Sequence, residues 1–399
     1  MSENANKFAI FRTKVPKTKS KVRISYEKTN FFRNFAPVMD IKQYTNDAVE
    51  LLIQLIKTPS VSRDEAAAAD VFTDFIGKWG MPFQRIGNNI LIQEDIDPEK
   101  PTLLLNAHID TVKPVATWTR DPFTPVVEGD RLYGLGSNDC GGGLVSLLQV
   151  YRILRGSASK HRKYNLVYLA SCEEEVSGEN GFRLAMSHLP KIDVAIVGEP
   201  TGMQPAIAEK GLMVIDGVAR GKSGHAARNE GVNAIYEALD DLVWLRDYRF
   251  KKESPLLGAT KMTVTVINSG TQHNVVPDEC HFVIDVRTNE YYQNEYLFAF
   301  LQKHMKKSEL KARSFRLSSS HIPVGNPLIQ KCIKMGMVPF GSPTLSDQAL
   351  MPFLSMKLGP GESSRSHSAD EFICISEIER AISTYVELIS ELRINGITD

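Results

Sequence analysis

The sequence predicts an α/β fold in which a mostly parallel β-sheet carries helices on both faces. Three short apolar segments, TLLLNAH, NLVYLAS and DVAIVGE, have the length and composition of buried strands. Longer segments such as EAAAADVFTDFIGKWG and GGGLVSLLQVYRILRG have the apolar spacing of helices. Strands that alternate with helices are typical of sheets covered on both sides, and such sheets bind ligands at the carboxyl ends of their strands.

Length and composition limit the class of protein. A chain of 399 residues favours two domains, because a single core rarely grows beyond about 250–300 residues. The 47 basic and 47 acidic side chains balance, so no net charge draws the chain to nucleic acid or to a membrane surface. No apolar run reaches the roughly 18 residues of a membrane span, and the five cysteines form no C-x-x-C pair. We expect a cytoplasmic protein that binds neither nucleic acid nor a membrane.

The first 38 residues differ from the rest of the chain. They contain nine Lys and Arg against two Asp and Glu and show no sustained apolar periodicity. A disordered extension is predicted over residues 1–38; a transit peptide or an upstream start codon are the alternatives. The folded unit is expected to begin near Met39, because apolar side chains then recur at helical spacing, at Val49, Leu52 and Ile56.

His, Asp and Glu, the residue types that commonly bind metals, follow three predicted strands and also occur in two glycine-containing loops. They are His108 and Asp110 in LLLNAHIDTV, Glu173, Glu174 and Glu175 in LASCEEEV, Glu199 in VAIVGEPT, Asp139 in GLGSNDCGGG and His367 in KLGPGESSRSHSADEF. No evident cationic partner stands beside these groups, so we expect them to share a metal cation. Zinc accepts imidazole nitrogen and carboxylate oxygen, and a pair of ions about 3.5–4 Å apart needs a bridging carboxylate.

In this order, the motifs resemble those of the M20 metallopeptidases, a family that includes acetylornithine deacetylase, succinyl-diaminopimelate desuccinylase, aminoacylase and the glutamate carboxypeptidases. The resemblance runs from about Met39 to the C-terminus. It implies a zinc-peptidase-like catalytic domain that binds two divalent metal ions. These are expected to be Zn²⁺, for which Co²⁺ can substitute. The implied ligands are His108, Asp139 and Glu199 for one ion, and Asp139, Glu175 and His367 for the other.

The glutamate triplet can be aligned with the family motif in two ways. With Glu173 in the motif's aspartate position, Glu174 is the general base and Glu175 the metal ligand, and the VSG turn that follows favours this alignment. In the alternative, Glu173 is the base and Glu174 the ligand. The resemblance implies that the base takes a proton from a metal-bridging water and passes it to the leaving amine of an amide bond. In an extended His-x-Asp segment both side chains share a face, so Asp110 can orient His108 or the water.

The middle of the chain predicts a smaller α+β insert over residues 212–321. The resemblance implies that this insert is a lid or dimerisation domain, that it interrupts a catalytic domain of residues 39–211 and 322–399, and that the protein is a homodimer. The predicted strands of the insert are LMVIDGVARG, KMTVTVINSG and CHFVIDVRT.

Three residues of the insert match family positions that reach the active site. His225 in GKSGHAA matches a histidine that stabilises the oxyanion, often across a dimer, and Asn274 and Arg287 match substrate contacts. Arginine suits an α-carboxylate because its fork binds both oxygens. Each residue also has a plainer interpretation. His225 can buttress a lid helix, Asn274 can be a turn residue before Pro277, and Arg287 can form a surface ion pair.

The C-terminal motif and the chain length most resemble the acyl-ornithine and acyl-diaminopimelate deacylases. We therefore expect removal of the acyl group from N-acetyl-L-ornithine or N-succinyl-L-ornithine, which gives L-ornithine for arginine biosynthesis. The alternatives are a succinyl-diaminopimelate desuccinylase, an M20 dipeptidase or carboxypeptidase, and an inactive metal-binding scaffold. One departure leaves the subfamily open: Gly141 stands where many members have lysine.

Further candidates would contact the substrate itself. Ser346 and Asp347 in TLSDQALM are predicted to grip it, with Asp347 attracting an ornithine ammonium; a surface turn is the alternative. A succinyl group brings a second carboxylate and requires another cation, for which Arg228 and Arg365 are candidates.

Overall fold

The computed structural model describes residues 40–155 and 162–394, so the predicted extension over residues 1–38 lies outside the described residues. The chain divides into the units Met1–Asp40 and Ile41–Asp399, and the elements below belong to the second. The helices are α1 (Ile41–Ile56), α2 (Ala66–Gly77), α3 (Gly142–Leu154), α4 (Phe182–Met186), α5 (Ala234–Asp247), α6 (Asn294–His304), α7 (Pro327–Lys334) and α8 (Ile375–Ile389). Of the helices in the described ranges, none has the length and apolarity that crossing a membrane requires.

The strands form one large sheet and several smaller ones. They are β1 (Gln84–Ile86), β2 (Asn89–Gln93), β3 (Thr102–His108), β4 (Val126–Glu128), β5 (Arg131–Tyr133), β6 (Asn165–Ser171), β7 (Val194–Val197), β8 (Ala206–Glu209), β9 (Gly211–Arg220), β10 (Gly224–His225), β11 (Glu253–Ser254), β12 (Gly258–Ala259), β13 (Lys261–Ser269), β14 (Val275–Val276), β15 (Glu279–Thr288), β16 (Ser308–Ala312), β17 (Ser320–His321), β18 (Phe340–Ser342), β19 (Leu354–Lys357) and β20 (Phe372–Cys374). The predicted α/β class is therefore confirmed.

The large sheet has the strand order β1–β2–β6–β3–β7–β19–β8–β17, with β18 beside β8. Its centre, from β6 to β19, is parallel. The outer pairs β1–β2, β2–β6 and β8–β17 are antiparallel. The prediction of a mostly parallel sheet is thus correct for the centre, whereas most pairs at the margins are antiparallel and only β18 pairs in parallel with β8 among the described marginal strands. At one margin, Gly87 and Asn88 alone connect β1 to β2, and so short a connection joins only antiparallel strands.

The central strands are buried on both faces. On β3, Leu103 and Leu105 belong to a large apolar cluster with residues of α1, α3 and α8, whereas Leu104 belongs to a second cluster with Phe182 of α4. Successive side chains of a strand point to opposite faces, so this alternation shows that helices cover both sides of the sheet.

Helix α3 begins where two glycines meet. A Cβ atom built on Gly143 would lie 1.6 Å from the carbonyl oxygen of Gly198, a distance that no side chain tolerates. Glycine therefore lets the first turn of α3 approach the end of β7 closely. This contact brings the turn before α3, which carries Asp139, next to Glu199.

A second, antiparallel sheet has the order β13–β15–β9–β16. Helices α5 and α6 pack on it through Leu245, Leu297 and Leu301, which share an apolar cluster with Ile215 and Phe282 of the sheet. The three strands that the sequence predicts in the insert are present as β9, β13 and β15. The domain boundaries at residues 211/212 and 321/322, and the lid or dimerisation role, stay predictions.

Candidate metal centre

Three neighbouring strands of the large sheet end beside one another. Strand β3 lies between β6 and β7 and pairs in parallel with both. His108 is the last residue of β3, the glutamate triplet follows β6, and Glu199 follows β7. Parallel strands end at the same edge of a sheet, so these side chains converge there. Asp139 reaches the site from the turn before α3, and His367 from the loop between β19 and β20.

Asp139 lies between two imidazoles. Its Oδ1 is 3.4 Å from His108 Nε2, and its Oδ2 is 3.5 Å from His367 Nε2. Glu199 Oε1 is 3.7 Å from His108 Nε2, and Glu175 Oε2 is 3.0 Å from His367 Nε2. Two ligands of one tetrahedral zinc ion, each about 2.1 Å from it, lie about 3.4 Å apart. The structure thus brings the five predicted ligands together around Asp139. Donor atoms of His108, Glu199 and the Cys140 thiol lie within 4.8 Å of one another, and so do those of Asp139, Glu175 and His367.

Two buried atoms of the predicted ligands, His108 Nε2 and Glu199 Oε1, have no hydrogen-bond partner among the described residues. Buried polar atoms are nearly always bonded, so an unpartnered pair requires an explanation. Burial, together with the negative charge of Asp139, raises the pKa of Glu199 to about 8, and burial also raises the pKa of Glu174 well above its usual range. Crowded carboxylates of this kind fit a site for divalent cations.

The three glutamates of the triplet point to different places. Glu174 Oε2 is 3.9 Å from His108 Nε2, and Glu175 contacts His367. The carboxylate of Glu173 is buried elsewhere, where it accepts hydrogen bonds from the main-chain and side-chain nitrogens of Asn180 at 3.2 and 2.9 Å. This geometry favours the alignment in which Glu174 is the base and Glu175 the ligand.

Asp110 positions the site through both its main chain and its side chain. His108 Nδ1 donates a hydrogen bond to the Asp110 carbonyl oxygen at 2.8 Å. Because Nδ1 carries the proton, the lone pair of Nε2 is available to bind a metal. The Asp110 carboxylate accepts the backbone N–H groups of Glu174 at 3.0 Å and Glu175 at 3.1 Å. Asp110 therefore holds the imidazole with its carbonyl group and the two glutamates with its carboxylate.

The family model that matches this chain is the peptidase family M20/M25/M40, over residues 104–391. The chain belongs to this family. Among its curated relatives, acetylornithine deacetylase of Proteus mirabilis is 29% identical over 369 residues, which are 83% of this chain and 93% of the relative. Acetylornithine deacetylase of Klebsiella pneumoniae is 28% identical over 377 residues, 86% of this chain and 96% of the relative. The resemblance to M20 enzymes that the motifs indicate is confirmed.

Solved structures share the M20 fold. A tripeptidase from Staphylococcus aureus superimposes with a TM-score of 0.68 at 19% identity, over 87% of this chain and 98% of its own. A dinuclear metal-binding peptidase of the M20 family from Bacillus subtilis superimposes with a TM-score of 0.65 at 16% identity, over 88% and 98%. At these identities the likeness establishes the fold, and the α/β peptidase architecture is confirmed.

The predicted lid residues of this M20 chain lie in two places. His225 of β10 and Asn274 next to β14 are neighbours, because the two strands pair and Ala226 N donates to the Asn274 carbonyl oxygen at 3.0 Å. Arg287 lies on β15 and forms a two-pronged ion pair with Asp285, at 2.9 and 3.1 Å. In the described part of the chain, none of the three predicted lid residues hydrogen-bonds to a predicted metal ligand. Arg287 matches its plainer interpretation as an ion pair.

Ser346 and Asp347 are buried, so the alternative of a surface turn is wrong. The Ser346 hydroxyl donates to Glu209 at 2.8 Å, and Asp347 accepts a hydrogen bond from the Ser171 hydroxyl at 2.6 Å. Burial raises the pKa of Asp347 to about 6, although the bond from Ser171 opposes the shift. Both side chains already have protein partners, and their contacts with a substrate stay predictions.

Glu371 supports the site, but no sequence motif identified it as a site residue. Its buried carboxylate accepts the backbone N–H groups of Asn138 at 2.8 Å and Asp139 at 2.9 Å. Burial raises the pKa of Glu371 to about 8. The one hint in the sequence is an acidic residue four positions after the ligand His367 in the same loop. Glu371 fixes the turn from which Asp139 projects.

We predict that Glu371→Ala weakens metal binding about 10- to 100-fold, because residues that orient metal ligands typically contribute that much. Glu371→Gln retains an oxygen that can accept the two N–H groups, and we expect it to bind metal nearly as well as the unaltered protein. Competition with a chromogenic chelator measures both affinities. Equal metal affinity in Glu371→Ala and the unaltered protein would contradict the positioning role.

Proposed function

We propose that this M20 hydrolase removes the acyl group from an N-acyl-L-ornithine, with N-acetyl-L-ornithine or N-succinyl-L-ornithine as substrate and L-ornithine as product. The observation that carries the proposal is Glu174, a half-buried carboxylate 3.9 Å from His108 and next to the cluster of Asp139, Glu175 and His367. The relatives named acetylornithine deacetylase match most of the chain and support the substrate class. A role in arginine biosynthesis and a cytoplasmic location stay predictions.

The metal ions in this proposal are two divalent cations, Zn²⁺ or Co²⁺. His108, Asp139 and Glu199 would hold one, and Asp139, Glu175 and His367 the other. When bound, such ions polarise the scissile carbonyl group and lower the pKa of the attacking water.

Glu174 is the proposed general base. Its carboxylate takes a proton from the attacking water and passes it to the nitrogen of the leaving amine. Burial raises the pKa of Glu174 well above its usual range, which makes the carboxylate a stronger proton acceptor. Asp110 keeps this carboxylate in place through the backbone N–H group of Glu174. A scaffold that only holds metal has no use for such a base.

The proposed oxyanion donor, His225, is exposed on β10, which pairs with β14 in a small two-stranded sheet, and within the described residues it makes no hydrogen bond to the metal centre. It would contribute after movement of this small sheet or from another copy of the chain. A homodimer is supported by an apolar surface on the second sheet and α5. This surface contains Tyr236, Leu239 and Val243 on α5, and Val266 and Ile267 on the edge strand β13.

We predict that Tyr236→Asp combined with Val243→Asp converts a dimer to a monomer, because charges at an apolar interface lose hydration without gaining partners. Light scattering after gel filtration measures the mass. Val338→Asp is the matched control, since Val338 is as exposed as Tyr236 but lies on the loop before β18. A monomeric unaltered protein would contradict the homodimer.

For the substrate, we predict the highest kcat/KM on an N-acyl-L-ornithine when zinc-loaded protein is assayed in parallel with N-acetylornithine, N-succinylornithine, N-succinyl-diaminopimelate and a set of dipeptides. The diaminopimelate compound and the dipeptides represent the other M20 activities. A higher kcat/KM on either would replace the proposed substrate, and metal-loaded protein without turnover on any of them would favour a scaffold.

Substitutions in the triplet separate the base from the ligand. Glu174→Ala is predicted to lower kcat by about 10²- to 10⁴-fold, as is typical of a lost general base, while two metal ions per chain remain by elemental analysis. Glu175→Ala should lose metal instead. Glu173→Ala is the control. Below its unfolding temperature, it should keep both the turnover and the two metal ions per chain of the unaltered protein. Unchanged turnover in Glu174→Ala would contradict its assignment as the base, and metal loss in Glu174→Ala with Glu175 dispensable would favour the other alignment.

A further inference from the structure

A cavity of about 360 Å³ opens beside the metal centre. One side of it is lined by the proposed base and four of the proposed ligands, which are Glu174, Asp139, Glu175, Glu199 and His367. The opposite wall is mostly uncharged, and its charged side chains are those of Lys357 and Glu362. These two residues decide which charge the wall offers to a substrate.

Lys357 is fully paired inside the protein. Its Nζ donates to the carbonyl and hydroxyl oxygens of Thr344, each at 3.1 Å, and lies 3.3 Å from Oε2 of the fully buried Glu209. An ammonium group has three N–H donors, so these three partners occupy all of them. Because the charges of Lys357 and Glu209 cancel, the pair offers no net charge to the cavity.

Glu362 has no such partner. Its side chain is exposed, and among the described residues its carboxylate accepts no hydrogen bond and forms no ion pair. Arg365, three residues further on, forms a two-pronged ion pair with Glu377 instead, at 2.8 and 3.1 Å. Both carboxylate oxygens of Glu362 are therefore available as acceptors at the cavity wall.

The main chain of Glu362 is fixed, although its side chain is free. The Glu362 N–H group donates to Asn138 Oδ1 at 3.0 Å, and Asn138 Nδ2 donates to the Glu362 carbonyl oxygen, also at 3.0 Å. Gly361 makes this contact possible, because its φ is 83° and a Cβ atom there would lie 2.2 Å from Asn138 Oδ1. Since Asn138 directly precedes Asp139, the position of Glu362 is fixed relative to the shared ligand.

Glu362 is also the unmatched charge of the cavity. Two divalent cations would balance the four ionised carboxylates of Asp139, Glu174, Glu175 and Glu199, and Lys357 already balances Glu209. The negative charge of Glu362 then remains, and it favours a substrate group of positive charge. The side chain of an N-acyl-ornithine carries such a group, an ammonium separated from Cα by three methylene groups.

The other residues predicted to contact charged parts of the substrate are engaged elsewhere. Asp347, predicted to attract the ornithine ammonium, accepts the Ser171 hydroxyl and does not line this cavity. Arg228 and Arg365, the candidates for a succinyl carboxylate, do not line it either. Those expectations therefore lack support among the described residues.

We propose that Glu362 binds the side-chain ammonium of the substrate and selects N-acyl amino acids with a cationic side chain. The proposal rests on the proposed deacylase function and names the substrate class within it. The ammonium donates charge-assisted hydrogen bonds to the free carboxylate oxygens, and such bonds are stronger than those between neutral groups. Glu362 determines specificity and takes no part in breaking the amide bond.

Glu362→Gln tests the subsite because glutamine keeps the size of the side chain and removes its charge. The substrates are N-acetyl-L-ornithine and N-acetyl-L-norvaline, which has the same carbon chain without the ammonium. We expect the ratio of their kcat/KM values to fall about 5- to 20-fold, mainly through the KM of the ornithine substrate. This range lies between the effects of an exposed ion pair and of a charged hydrogen bond. An unchanged ratio overturns the proposal.

Three further comparisons separate a local contact from a general effect of charge. Glu99→Gln is the matched control and should keep the ratio, because Glu99 is exposed, has no side-chain partner among the described residues and does not line the cavity. Glu362→Lys should shift the preference from N-acetyl-L-ornithine towards N-acetyl-L-glutamate. Added salt should lower the ornithine preference of the unaltered protein, since salt screens exposed charges, and should leave Glu362→Gln unaffected. An equal fall of the ratio in Glu99→Gln would contradict a contact made by Glu362.

A binding measurement distinguishes this proposal from the deacylase function. L-ornithine and L-norvaline are titrated into the metal-loaded protein and into metal-loaded Glu362→Gln by calorimetry. Tighter binding of L-ornithine that Glu362→Gln abolishes supports the subsite even if no N-acyl-ornithine is hydrolysed. Equal or absent binding of the two amino acids, or a preference that Glu362→Gln retains, contradicts the subsite, whatever the turnover.

Discussion

The position of the Asp139 carboxylate between two imidazoles is the feature on which the site depends. One oxygen faces His108 and the other faces His367, so a single side chain sets the separation of the two ligand groups. Its turn is fixed by Glu371, which accepts the N–H of Asp139. It is also tied to the C-terminal loop by Asn138, whose amide contacts the Glu362 carbonyl oxygen and the Ser366 hydroxyl. Displacement of this turn would therefore disturb both groups.

Anionic charge is balanced around this centre by several means. Asp110 and Glu371 accept backbone N–H groups, so their carboxylates are compensated by peptide dipoles while they position neighbouring residues. Glu199 and Glu174 accept no backbone N–H group within the described residues. Burial raises the pKa of both and also that of Glu371, so the hydrogen bonds make the difference. These two carboxylates thus depend most strongly on the proposed divalent cations. The difference separates acids that support the site from acids that face its cations.

The central sheet could be predicted because buried parallel strands are continuous apolar runs, as in β3, β6 and β7. The longer strands of the second sheet were also evident, and β9 shows the alternation of a sheet with one buried face. The marginal strands β17 and β18 have two and three residues, too few to show any period. Their pairing with β8, antiparallel for β17 and parallel for β18, is decided by tertiary contacts that the sequence pattern does not contain.

The ligands could be predicted because metal-binding residue types recur at strand ends, in an order typical of one family. The supporting residue Glu371 and the buried Lys357 could not be predicted, since each contacts partners that are distant in the chain. Lys357 pairs with Val197 across β19 and β7, two residues before the proposed ligand Glu199. This register places Lys357 on the strand beside β7, the strand that leads to the proposed ligand Glu199. Strand pairing that positions Glu199 therefore also positions the buried ion pair of Lys357 with Glu209.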